Sequence, residues 1–179
     1  MFGQRGQSVE AATWDNCRAD FAFDGALLDL VVPGTGDAEW EVFWSALRAG
    51  PFGLQAFRDG EPILLPNSAA WVFGEREVAS IMVSVRSGTI TANCHFFGGH
   101  LKLDIDPREV TSQAAFESVL AVMRFVASAV DLPTIIVAEG GTPAYAFLRV
   151  LPDGQAMFLP VGSIRHAELG GPPDCGRIT

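Results

Sequence analysis

Five dipeptides of turn chemistry punctuate this chain between apolar runs: Asp24-Gly25, Asp59-Gly60, Ser87-Gly88, Gly98-Gly99 and Asp153-Gly154. Pairs of this kind tolerate the positive φ that a two-residue hairpin turn demands, so each predicts that the chain doubles back on itself. The flanking segments predict antiparallel strands near 19–23 and 26–32, 52–58 and 61–65, 80–86 and 89–97, 100–106, and 144–151 with 155–160. The apolar run at 134–138, Thr-Ile-Ile-Val-Ala, reads as one more strand.

Two helical patterns interrupt these strands. Trp40, Phe43, Trp44 and Leu47 fall on one stripe and predict a helix over 37–49, ended by Gly50-Pro51. Phe116, Val119, Leu120, Met123, Ala127 and Val130 form a continuous apolar seam over 112–130, with Gln113, Glu117 and Arg124 turned away from it. Ser68 reads as the cap of a short helix at 68–73. Antiparallel hairpins with two principal helices packed on one face make an α+β domain, and the repeated β–α alternation of a doubly wound parallel sheet is missing.

The chain has 179 residues, of which 49% are hydrophobic and 18% charged. One domain over 13–161 is expected, with loosely held ends at 1–12 and 162–179. A chain of this length buries roughly 70% of its unfolded surface, so its stability calls for no cofactor, metal or disulfide. Cys17, Cys94 and Cys175 are odd in number and contain no CxxC pair, which fits a reducing compartment. The first fifteen residues lack the apolar stretch of a signal peptide, and there is no unbroken apolar run of about 18 residues to span a membrane. A cytoplasmic location is expected.

Twelve Lys and Arg stand against 21 Asp and Glu, a net charge of −9. That balance repels a phosphate backbone, disfavours nucleic acid and suits a basic protein partner.

Residues 93–109 hold Cys94, His95, His100, Asp104 and Asp106, and pose the question of a metal or catalytic centre. A turn at Gly98-Gly99 pairs Phe97 with His100, His95 with Lys102, Cys94 with Leu103, Asn93 with Asp104 and Ala92 with Ile105. One face of this hairpin is then wholly apolar, carrying Ala92, Cys94, Phe96, Leu101, Leu103 and Ile105. The other carries Asn93, His95, Phe97, His100, Lys102 and Asp104, the expected binding surface. A slip of one residue would mix the two sets and bury charge, so the pattern selects this register. Cys94 is expected in the core and on the opposite side from His95, which rules out a Cys–His dyad. A metal would draw on His95, His100, Asp104 and Asp106, but their spacing along the strands and Lys102 in their midst weaken that reading. Asp106-Pro107-Arg108-Glu109 reads as a helix-capping box.

Elsewhere, the glycines of residues 137–143, Val-Ala-Glu-Gly-Gly-Thr-Pro, read as a loop, with Glu139 a lone carboxylate at its start. Trp14 reads as a plug at the core's edge, and Asp37, Glu39 and Glu41 as acids suited to a helix N-terminus. No nucleophile elbow, HExxH, kinase-like or dinucleotide-binding motif is present.

These features lead to a non-catalytic acidic domain that offers a polar sheet surface to another macromolecule. In size, charge and aromatic content the chain is similar to small acidic immunity proteins that neutralise bacterial toxins. The alternative is a small metal-dependent or His/Asp hydrolase using His95, His100 and Asp104 on the polar face of the 89–106 hairpin. A homodimer joined through an apolar patch around Phe97 is a further expectation.

Overall fold

Asp59 and Gly60 both adopt positive φ, 50° and 85°, the geometry that closes a two-residue hairpin without splaying its strands. The computed structural model describes residues 10–96 and 99–160. In chain order the elements are β1 (Glu10–Ala11), α1 (Trp14–Cys17), β2 (Leu28–Val32), α2 (Asp37–Ala49), β3 (Gly53–Arg58) and β4 (Glu61–Ile63). They continue with α3 (Ala69–Glu75), β5 (Ile81–Ser87), β6 (Ile90–His95), β7 (Leu101–Ile105), α4 (Gln113–Val130), β8 (Thr134–Ala138), β9 (Leu148–Val150) and β10 (Ala156–Phe158). Short 3-10 turns occupy Pro107–Glu109 and Pro143–Tyr145.

The strands of the described residues form one antiparallel ten-stranded sheet in the order β1-β10-β9-β8-β2-β7-β6-β5-β3-β4, so the chain has an α+β fold. Ala92 faces Ile105, Asn93 faces Asp104 and Cys94 faces Leu103, the register the two-faced pattern selects. Phe97 and Gly98 lie outside the described residues, as does the chain from residue 161 onward.

Handedness decides where the helices go. β2 and β3 run the same way, because an even number of antiparallel pairings separates them, and α2 joins them. β7 and β8 run the same way, since each pairs antiparallel with β2, and α4 joins them. Crossovers between parallel strands are right-handed in about 98% of cases. These two are opposed both along the strands and across the sheet, so one hand places both helices on one face. Accordingly α2 and α4 touch each other, and α4 lies on β5, β6, β8 and β9.

Among the described residues all four α-helices bury side chains in the large core on that face. Trp40, Phe43, Trp44 and Leu47 of α2 and Phe116, Val119, Leu120 and Met123 of α4 meet Leu30, Val83, Ala92, Leu103 and Ile136 of the sheet. Trp14 closes the core's edge against Phe21 and Phe116. Among the described residues α4 alone is long and apolar enough to cross a membrane, and half of its span is buried within the protein. It lacks an unbroken apolar run, and its average rather than its continuity brings it to that threshold.

Several local expectations are corrected. The hairpin over 19–32 keeps only its second strand, because Thr13 and Asn16 cap each other's backbone and start α1 instead. Turn bonds from Asp20 to Cys17 and from Ala22 to Ala19 then carry the chain onward, burying Phe21. Asp24 accepts from its own Ala26 amide, a local turn rather than a hairpin tip. Ser87 pairs with Ile90, so the next turn is Gly88-Thr89, with glycine where φ is positive. Residues 144–147 form a 3-10 turn and its exit, and pairing begins only at Leu148. The start of the chain is tied from Glu10, whose strand pairs with β10.

The acids near α2 hold backbone rather than ligand. Glu39 accepts from the Gly36 amide, which holds its carboxyl below the usual range. Glu41 reaches across to accept from the first amides of α3, at Ala69 and Ala70.

Candidate functional site

With the four described α-helices committed to the first face, the second face of the sheet carries the polar groups. Alternation along the strands places Asp29 and Val31 of β2, Lys102 and Asp104 of β7, Asn93 and His95 of β6, and Ser84 of β5 on it. These side chains are joined in two linked sets.

The first set is a hydrogen-bonded chain across three strands. Ser84 Oγ donates to Asn93 Oδ1 at 2.9 Å, and Asn93 Nδ2 donates to Asp104 Oδ1 at 3.0 Å. His95 Nε2 lies 2.6 Å from Asp104 Oδ2, a diagonal cross-strand contact in which the ring nitrogen donates to the carboxylate. The His95 and Asp104 side chains are 23% and 13% exposed, so this surface is half-covered rather than openly solvated.

Asp29 organises the second set. It lies directly opposite Asp104 on the neighbouring strand and is only 3% exposed. Its Oδ2 takes the Lys102 ammonium at 2.7 Å and the Gly140 amide at 2.8 Å, while its Oδ1 is buried with no hydrogen-bond partner. Two carboxylates facing each other across strands repel; the Lys102 ammonium offsets that repulsion at Asp29, and Asp104 accepts a hydrogen bond from His95.

The loop after β8 completes the site. Gly140 has φ +69°, and a Cβ on Gly141 would come within 2.8 Å of the Ala138 carbonyl oxygen, so this path needs glycine at both positions. Glu139 at the loop's start is used structurally, accepting from the Leu27 amide at 3.1 Å. Between the loop and the sheet lies a recess of about 260 Å³. Val31, Ile135 and Val137 make its apolar walls, and Asp29, Lys102 and His100 contribute its polar groups. His100 Nδ1 accepts from the Gly34 amide at 3.2 Å, which assigns the ring proton to Nε2.

Of the residues expected to form the binding surface, Asn93, His95 and Asp104 therefore meet in one network, and Lys102 joins the adjacent one through Asp29. His100 turns away toward Gly34 and lines the recess, and Phe97 lies outside the described residues. His95 and Asp104 thus come together, and His100 does not join them. Among the described residues no three His, Cys, Asp or Glu side chains gather as metal ligands. Ser84 donates to Asn93 and not to His95, so the set does not form a Ser–His–Asp triad.

Asp106 departs from the expected capping box. Its Oδ1 accepts from the Arg108 amide at 2.9 Å, and the Arg108 guanidinium clasps both carboxylate oxygens. Glu109 does not reach back to it but accepts from the Thr91 amide at 2.6 Å, tying the 3-10 turn to β6. Hydrogen bonding from Arg108 holds the Asp106 carboxyl below the usual range, with burial opposing it more weakly. A lowered folded value means that this contribution is present above the unfolded value and is lost as pH falls through the folded one. The stability difference between the wild type and Asp106→Asn should therefore shrink steadily below about pH 4 in urea titrations. A difference that is constant or grows toward acid would contradict the clasp.

Cys94 lies wholly in the core on the helix face, and burial pushes its thiol well above the ordinary value, with the Asp104 charge adding to the shift. Burial likewise pushes Cys17 up to about 12. In a Cys175→Ser chain, the native protein at about pH 8 should leave a chromogenic disulfide reagent unreacted, and both remaining thiols should react once urea unfolds it. One fast-reacting native thiol would show that the core is open at Cys17 or Cys94.

Asp29 and the Gly140-Gly141 loop are the parts of the candidate site that sequence reasoning missed. A signal for Asp29 exists: it is the lone charge inside Leu28-Asp29-Leu30-Val31-Val32, an otherwise apolar strand that pairs on both edges. Comparison of the chain with family models, with curated proteins and with solved structures yields no match, so the site is interpreted from its own residues.

Proposed function

We propose that this chain is a non-catalytic acidic domain that binds a basic protein, in the manner of immunity proteins that neutralise toxins, and that it does so in the reducing cytoplasm. The observation that carries this reading is the charge balance together with where the cations go. Only 12 Lys and Arg face 21 Asp and Glu. Of those cations, Lys102 is paired to Asp29, Arg58 to Glu75, Arg108 to Asp106 and Arg124 to Glu117. Internal pairing spends positive charge one for one and so leaves the excess of nine negative charges in place, and that excess steers and favours a basic partner. The free thiols buried at Cys17 and Cys94 suit a reducing compartment.

The test is the reading frame encoded beside this one. Its product, if basic and toxic, should bind the chain in calorimetry with an affinity that falls steeply as salt rises, and co-expression should relieve toxicity. A basic neighbour that shows no association at low salt would reject the reading.

One observation favours a second reading, a small His/Asp hydrolase: the 2.6 Å contact between His95 and Asp104 is a standard way to orient an acid–base imidazole. On that reading, turnover of chromogenic esters by the wild type would disappear in both His95→Gln and Asp104→Asn. No turnover, or turnover that survives both changes, would reject it.

A further inference from the structure

The recess between the Gly140-Gly141 loop and β7 has a specific chemistry. It is walled by Val31, Ile135 and Val137, it holds one cation and one anion, and the anion, Asp29, carries a buried oxygen with an unmet hydrogen-bond capacity. From these features we infer that it is a binding site for a small aliphatic zwitterion, an α-amino acid with a side chain of the leucine or valine type.

Each part of that ligand has a counterpart. Lys102 gives one N–H to Asp29 and retains two for a carboxylate, and the Nε2–H assigned to His100 provides a further donor at the rim. Asp29 Oδ1 lacks a donor, which an ammonium group supplies. Asp29 lines the recess, so an ammonium group seated there is placed to supply that donor. An unmet buried acceptor is costly, and a ligand that satisfies it recovers that cost on binding.

Charge balance excludes simpler ligands. A lone carboxylate would compete with Asp29 for Lys102, and a lone amine would compete with Lys102 for Asp29. A zwitterion matches both at once and leaves the site neutral. The recess of about 260 Å³ lies just below the range of roughly 300–1,000 Å³ typical of ligand pockets, which limits the occupant to about the size of an amino acid. The valine and isoleucine walls favour an aliphatic side chain over a charged one.

The experiment uses the full chain in thermal unfolding and titration calorimetry. The probes are leucine, valine, isocaproate (leucine's skeleton without the amine) and isoamylamine (the same skeleton without the carboxylate). Leucine or valine at about a hundred times its dissociation constant should raise Tm by roughly 5–10 °C. Isocaproate and isoamylamine should each bind at least about tenfold more weakly, each having lost one charged contact. Asp29→Asn keeps the shape of the site and should weaken leucine binding by about tenfold or more. Val31→Phe fills the recess from its half-exposed wall and should abolish binding while the circular dichroism spectrum is retained. No shift with either amino acid would overturn the proposal, as would isocaproate equalling leucine or binding that survives Val31→Phe.

Discussion

Trp44→Ala is expected to lower the unfolding free energy by about 3–5 kcal/mol, the cost of removing a large aromatic from a packed core. Trp44 is fully buried on α2, and its ring meets Phe96, just beyond β6, edge-on at 5.7 Å between centroids. Its indole N–H donates to the Pro66 carbonyl oxygen at 3.2 Å, so one side chain fastens α2 both to the sheet and to the connection leading into α3. Alanine removes the packing, opens a cavity and leaves that carbonyl without its donor. Domains of this size are held by only about 5–15 kcal/mol, so the loss is a large share of the total. Urea unfolding followed by circular dichroism measures it, and Trp44→Phe should recover more than half of the loss. A loss below about 1 kcal/mol for Trp44→Ala would show that α2 is not anchored through this seam.

Lys102→Met should cost about 2–3 kcal/mol. Removing one partner of a fully buried ion pair typically costs about 3–5 kcal/mol because a charge is left uncompensated, and the 35% exposure of the Lys102 side chain reduces that figure. What remains is large because Asp29 faces Asp104 across the strands with little water to screen either. Adding Asp29→Asn to Lys102→Met removes the stranded charge, so the double variant should regain most of the stability. A double-mutant cycle reads this directly as a coupling between the two sites. If the two changes simply add, Lys102 is not the group that holds Asp29.

How much of this was legible beforehand follows from the range of each interaction. The helix over 37–49 and the strand at 134–138 were readable to the residue, because side-chain periodicity and end signals such as Gly50-Pro51 are written within a few positions. The same holds for the hairpin at Asp59-Gly60 and for the pairing of Asn93 with Asp104, where two facing patterns had to agree. Residues 19–23 were misread because their apolar alternation is real but is used by turns: Thr13 and Asn16 cap a helical turn immediately upstream, and Phe21 fills the core without pairing.

The site divides along the same line. The two-faced hairpin, the burial of Cys94 and the acidic excess followed from the amino-acid sequence by itself, since alternation and composition are local or additive properties. The bond between His95 and Asp104 is diagonal, and whether it or a bond to His100 forms depends on side-chain torsions that no spacing specifies. Asp29, Lys102 and Gly140 meet only because β2 lies between β7 and β8, a contact that spans 111 residues from Asp29 to Gly140. Only the tertiary structure decided that a lone acid in an apolar strand would be buried opposite a second carboxylate, under a glycine loop and beside the lysine that neutralises it. The physical reason is that burial and charge pairing are set by which strands become neighbours, and that choice is made by the handedness of the helical crossovers and the closure of the whole sheet.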